Sequence, residues 1–232
     1  MKMVNAYTHN YFWQQTLADI FNSEKTSELN RQILLQIVRH IDSYEPQCKS
    51  FGHSVRVMQY AIHLAVYLHF DSKTKKAIAA SAFFHDIGKI GIPSNLLLKK
   101  ETLTLSEYQM MKRHPEIGGK ILQHFPEYDD AVKGVLYHHE RFDGSGYPYG
   151  LERGEIPIEA QIIGLCDAYD ALTSRRPYRK PLSVESAMEI LRQQTEYGKW
   201  NPFLFSAFEN IIPFHEQMFM PEVTRENDSF FS

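Results

Sequence analysis

The chain has 232 residues, 43% hydrophobic and 23% charged, with a formal net charge of −3. This suits a globular protein of one or two domains with a sizeable core, and it excludes a global basic field for long nucleic acid, so any anion site has to be local. The two cysteines, Cys48 and Cys166, form neither a disulfide framework nor a CxxC pair. No apolar run reaches the ~20 residues of a membrane span or has the form of a signal peptide, so we expect a cytoplasmic chain with reduced thiols and no membrane partner.

In chain order, residues 1–45 read as a helical lead-in. Within them Leu29, Ile33, Ile37 and Ile41 recur every four residues over 28–41, the pattern of an amphipathic helix. Segment 53–69 repeats that pattern. So does 73–87, which ends at Gly88 before Gly91 and Pro93 break the helix. Glu107, three residues after Thr104, makes a capping box for a helix over 106–113. Pro115 suits the first turn of another over 115–124. Further helices are expected at 128–140, 158–173 and 183–194, and 143–150 is a glycine-rich turn. Strand alternation is weak, so the fold class is all-α. The main domain is expected over 46–212, with 213–232 a polar, frayed tail.

The most informative stretch is His85-Asp86-Ile87-Gly88-Lys89. On a helix, neighbours lie about 100° apart, so His85 and Asp86 can each reach a metal and Asp86 can bridge two. Lys89 shares their face and brings a cation beside a metal-bound water. His53, His114, His138, His139 and Asp167 add five more nitrogen or oxygen donors, all near expected helix ends. Side chains from several helices can converge there on one cavity. An imidazole and carboxylate set without thiolates suits Fe, Mn, Ni or Zn and argues against a structural zinc. Seven donors exceed what one ion with an open position needs. Two ions bridged by Asp86 and a hydroxide use them, and two ions about 3.5–4 Å apart suit phosphoester hydrolysis.

Each of these residues also has a plainer reading. A lone histidine on a helix is ordinarily a surface or core residue, and we apply that reading to His9, His40, His63, His69, His124 and His215. The doublets resist it, because two adjacent polar groups beside Phe83-Phe84 or Val135-Leu136 are costly to bury unpartnered. Downstream of Asp167 come Arg175, Arg176 and Arg179. They can clamp phosphates or simply cap helix carbonyls. With the metal set alongside, phosphate binding is favoured for Arg176 and Arg179. The Gly146-Tyr147-Pro148 turn offers either an aromatic face for a nucleobase or a plain tight turn.

Together GHSVRV (52–57), FFHDIGKIGIP (83–93), MKRHPEIGGKIL (111–122), YHHERFDGSGYPYGL (137–151), GEIPIEAQIIGLCDAYDALTSRRPYR (154–179) and WNPFLF (200–205) resemble the HD-GYP family, a branch of the HD-domain phosphohydrolases. The resemblance covers roughly residues 50–210. It implies an all-helical fold around a di- or tri-metal centre, often iron, and hydrolysis of cyclic di-GMP to the linear dinucleotide and often on to GMP. His53, His85, Asp86, His114, His138, His139 and Asp167 match the family's metal ligands, with Asp86 the bridge, and Lys89 matches the lysine near the bridging water. Tyr147, Arg176 and Arg179 match substrate-contacting positions, and Asp170 is expected with them as a site-lining or supporting residue.

Three positions depart from the family pattern. Where trinuclear members carry a glutamate, four residues before the first histidine, this chain has Lys49. Its charge opposes a third cation, so two divalent ions are expected. Asn201 and Gln161 stand where relatives usually carry Asp and Arg. The expected activity is that of a metal-dependent cyclic dinucleotide phosphodiesterase. The alternatives are a non-catalytic cyclic di-GMP-binding signalling module, or a hydrolase of cyclic GMP-AMP, with a homodimer or a signalling-protein partner left open.

Overall fold

The computed structural model describes residues 27–44, 52–174 and 180–219. Lys49, Arg176 and Arg179, and with them the 45/46 boundary, fall outside the described residues.

Helix α1 (Glu28–Asp42) starts at Ser27, whose hydroxyl accepts from the Asn30 amide at 3.2 Å. Its buried residues are Leu34, Val38 and Ile41, while Leu29 and Ile33 stay exposed. The helix therefore turns an i, i+4, i+7 stripe inward, and only Ile41 of the expected stripe lies in it. Helices α2 (His53–Tyr67) and α3 (Ser72–Phe84) pack tightly against each other. Both stop short of their expected ends. His69 takes φ 57, which ends a helix, and His85 caps α3 before Asp86 leaves helical geometry at φ −96, ψ 1.

A 3₁₀ turn, Ile87–Gly91, follows. Gly88 in it touches the next layer: a Cβ there would lie 1.9 Å from the His114 carbonyl oxygen and 2.5 Å from the Gly118 nitrogen. Short α4 (Ser94–Leu97) leads to α5 (Leu105–Met111), where both arms of the Thr104/Glu107 capping box form. Then come α6 (His114–Leu122), α7 (Asp129–Tyr137), α8 (Ile158–Thr173) and α9 (Val184–Glu196).

The chain continues into α10 (Pro202–Phe219), a helix not read from the sequence, which runs without interruption past residue 212. Leu204, Phe208 and Ile212 recur every four residues and are fully buried, and α10 packs on α2. Each such side chain contributes about 1.5–3 kcal/mol, which outweighs the unfavourable Pro213 in its interior. Among the described residues there is no strand, and Asp143 and Glu152 form an isolated bridge. The fold is all-α.

The core is a helical bundle in which α8 packs on α2, α3 and α7. At its centre Tyr60, Tyr169 and Phe208 meet edge to face, with ring centroids 5.1, 5.3 and 6.4 Å apart. α2 begins at His53 where α3 ends at His85, and α6 begins at His114 where α7 ends at His138. This alternation brings four histidines to one end of the bundle.

Candidate metal centre

Two donor groups form there. His53, His85 and Asp86 make one and His114, His138 and His139 the other; within each, the potential ligand atoms lie within 4.8 Å of one another. Asp86 joins them. Its Oδ2 is 3.4 Å from His85 Nε2, and its Oδ1 is 3.3 Å from His114 Nε2. Asp167, from α8, places Oδ1 3.3 Å from His53 Nε2. All seven sequence-selected donors thus converge on one basin, and Lys89 joins them through a close ion pair with Asp86 Oδ2.

The imidazoles are held from behind. His85 Nδ1 donates to the Ala82 carbonyl at 2.7 Å, His114 Nδ1 to Met111 at 2.9 Å and His138 Nδ1 to Val135 at 2.7 Å. A carbonyl can only accept, so these bonds put the proton on Nδ1 and leave the Nε2 lone pair facing the basin. His53 follows the same rule, with Nδ1 donating to Asp170 at 2.7 Å. The inward atoms then crowd: His53 and His85 Nε2 are 3.1 Å apart, and His114 and His138 Nε2 are 3.3 Å apart. Opposed lone pairs at such distances repel unless a proton or a metal cation lies with them. The residues present therefore fit divalent ions, and the absence of thiolate agrees with nitrogen and oxygen ligation.

The electrostatics point the same way. Burial pushes His114 down to about 4, and it holds His138 and His139 well below the usual imidazole range, so all three are neutral and ligand-ready. Burial also disfavours a proton on His85, but the Asp86 charge overrides it and raises that group. Burial works against the Asp86 carboxylate too. The Lys89 ammonium, with His85, outweighs it and keeps Asp86 ionised. Burial also works against the half-buried Asp167 carboxylate, and His53 outweighs it and keeps it ionised.

Three supporting residues were not read from the sequence. Arg56 donates through Nε to Asp170 Oδ1 at 2.7 Å and through Nη2 to Oδ2 at 2.9 Å, a bidentate pair that fixes the carboxylate behind His53. The available signal was a charge in an otherwise apolar buried helix, three residues after His53. Glu140 is 4% exposed and accepts from the Tyr149 amide at 2.8 Å and the Leu151 amide at 3.1 Å, which anchors the glycine-rich loop. Lys112 places its ammonium 4.8 Å from the Tyr108 ring centre and 5.0 Å from that of Tyr147.

Two sequence-selected residues already engage partners within the protein. Asp170 is fully buried, and its oxygens are occupied by His53 and Arg56. It holds the His53 imidazole from behind. Tyr147 stacks on His139, with centroids 4.6 Å apart and planes 25° apart, so one of its faces is already covered. Of the six histidines read as structural, His63 and His215 pair through Nδ1 at 2.7 Å on the far side of Tyr60, and His40 bonds Tyr44 at 2.9 Å. Asn201 donates to Gln161 at 2.9 Å, so the two departures from the family pattern pair with each other. No helix among the described residues is long and apolar enough to cross a membrane.

A profile described as HD domain matches residues 25–202. The chain is similar to a cyclic di-GMP phosphodiesterase of Thermotoga maritima, with 37% identity over 75% of this chain and 48% of that protein. It is also similar to a cyclic di-GMP phosphodiesterase of Pseudomonas aeruginosa, with 32% identity over 87% of this chain and 50% of that one. It therefore spans about half the length of these relatives. Among solved structures, an HDG"Y"P protein from Bdellovibrio bacteriovorus superposes with a TM-score of 0.60 at 20% identity, covering 90% of this chain and 65% of that one, which supports the fold.

Proposed function

Because the chain belongs to the HD domain family, we propose that it is an HD-GYP-type metal-dependent phosphodiesterase that opens cyclic di-GMP to the linear dinucleotide. The observation that carries this reading is Asp86, which turns one carboxylate oxygen toward each of two donor groups. Divalent ions held there would polarise the phosphodiester oxygens and acidify an attacking water. His53, His85 and Asp167 would serve one ion, His114, His138 and His139 the other, and Asp86 both.

This chain's own residues do the rest. Nδ1 anchors on three backbone carbonyls and on Asp170 keep His85, His114, His138 and His53 in the ligating tautomer. Lys89, paired with Asp86, holds positive charge beside the shared basin, where the nucleophile has to lose a proton. Arg176 and Arg179 are assigned to the phosphates on the sequence resemblance. We propose iron as the native metal ahead of manganese, nickel or zinc, and two ions per chain, since Lys49 replaces the extra carboxylate that a third would need.

Anaerobic purification, metal quantification and an assay with Fe(II) or Mn(II) test this. About two ions per chain and cleavage of cyclic di-GMP are expected. A stoichiometry near three overturns the nuclearity. Bound metal with no cleavage of any cyclic dinucleotide overturns the enzyme in favour of a binding module.

A further inference from the structure

Next to the metal basin lies a cleft of about 360 Å³ that the chemistry above does not use. Its floor is α8, where Ala168 directly follows the ligand Asp167 and Ala171 lies four residues beyond it. Residues four apart share a helix face, so the cleft opens about one turn, roughly 5.4 Å, along α8 from the metal ligand. Arg141, Gln194, Lys199 and Trp200 form the rest of the lining used here. Arg141 comes two residues after His139, and its Nη1 donates to the His138 carbonyl at 3.4 Å. The two walls are tied together, because the Phe142 amide donates to the Lys199 carbonyl at 3.0 Å.

The polar chemistry of this cleft is one-sided. Arg141 and Lys199 carry only donors. The Gln194 side chain has one acceptor, Oε1, and it already receives the Trp200 Nε1–H at 2.9 Å; the remaining amide group, NH₂, donates. Arg141 sits over the Trp200 ring, its Cζ 4.4 Å from the centre, and uses Nη1 on the Glu140 carbonyl at 3.1 Å. Its Nε and Nη2 have no acceptor among the described residues. A volume of this size takes a nucleobase, and a lining of donors beside an aromatic plane favours a base edge made only of acceptors. Guanine presents such an edge in O6 and N7, the pair that a guanidinium reads bidentately. Adenine places an N6 donor where guanine has O6.

We propose that this cleft is a guanine subsite, in which Arg141 and Gln194 read the O6/N7 edge of one base of the cyclic dinucleotide. The inference rests on the proposed phosphodiesterase activity and deepens it. One guanine suffices, so cyclic GMP-AMP fits as well as cyclic di-GMP apart from a statistical factor, whereas cyclic di-AMP does not fit.

The test uses the metal-loaded full chain and compares affinities for phosphorothioate analogues of cyclic di-GMP and cyclic di-AMP, with cleavage of the natural dinucleotides followed in parallel. The wild type is expected to prefer the guanine form by about tenfold or more. Gln194→Glu keeps the acceptor for Trp200 and replaces a donor with a carboxylate, so the guanine preference is expected to shrink or invert. Arg141→Ala is expected to shrink it too. Gln194→Glu guards against misfolding of the Arg141 variant, since it alters a half-buried amide without removing volume. Loss of affinity for both dinucleotides in equal proportion would assign the cleft to phosphate instead. An unchanged ratio in both variants, while the wild type still cleaves a cyclic dinucleotide, overturns the subsite and leaves the phosphodiesterase standing. A wild type that neither binds nor cleaves any cyclic dinucleotide overturns both.

Discussion

The metal basin and the loop over 140–152 adjoin, yet they are built on opposite plans. In the basin every anchored imidazole has its own acceptor, three backbone carbonyls and one carboxylate, arranged at the ends of four packed helices. In the loop a single side chain, Glu140, gathers two backbone amides and so shapes the segment that carries Tyr147. The basin is redundant in its supports and intolerant of losing its centre. The loop leans on Glu140, helped by Asp143, which accepts from Ser145, and a failure at Glu140 is expected to stay local. The geometry of the candidate ligands is thus tied to the stability of the fold, while the proposed substrate handling is adjustable.

The contrast breaks most severely at Asp86. Asp86→Ala removes the carboxylate shared by both donor groups, and we expect metal content to collapse and turnover to fall about a thousandfold or more. Full turnover with full metal content in that variant would remove the basis for the two-ion reading. Asp170→Ala comes next. It strands the Arg56 guanidinium in the interior, which is expected to destabilise the fold by about 3–5 kcal/mol in a urea titration and to weaken metal binding about 10–100-fold. An apolar Arg56→Met change on top of it should recover much of that stability if the unpaired charge is the cause.

Acidity probes the basin without a mutation. His114 titrates at about 4 in the fold against 6.5 for a free imidazole, because it is buried. Between those values the unfolded chain binds the extra proton, so stability is present above pH 6.5 and falls as the pH is lowered toward 4. His138 and His139 act in the same direction and His85 opposes them. For metal-free protein, His114 alone makes the expected loss about 2 kcal/mol between pH 7 and 5, measurable as a lower urea midpoint. A midpoint unchanged across that range would show that the imidazoles are not desolvated as described.

The mildest change should be in the loop. Glu140→Gln keeps one acceptor and loses the other, at about 1–3 kcal/mol. It is expected to raise KM several-fold with metal content intact, as steady-state kinetics beside metal analysis would show. Metal loss in this variant would mean that the two regions are not separable.

The metal donors were legible because their chemistry is local to doublets: His85-Asp86 and His138-His139 each place two polar groups beside apolar neighbours. Helix caps were equally plain, as at Thr104 and Glu107. What the sequence hid was long-range pairing. Asp170 meets Arg56 across 114 residues and His53 across 117, and no periodicity in either helix announces a partner so distant. Helix α10 was hidden for another reason, since its aromatic residues and the interior Pro213 lower helix propensity while burial against α2 supplies the stability. In α1 the error was one of phase: two apolar stripes run along it, and only packing decides which turns inward.

Gly88 gives the motif around Asp86 a further meaning. With a side chain excluded by the His114 carbonyl and the Gly118 amide, the glycine works as a spacer gauge between the turn that carries Asp86 and the helix that carries His114. A methyl group there would push the two layers apart and lengthen the span that one carboxylate has to bridge. That glycine therefore sets a distance, and laboratory evolution toward larger or smaller ions could begin at a position outside the donor set.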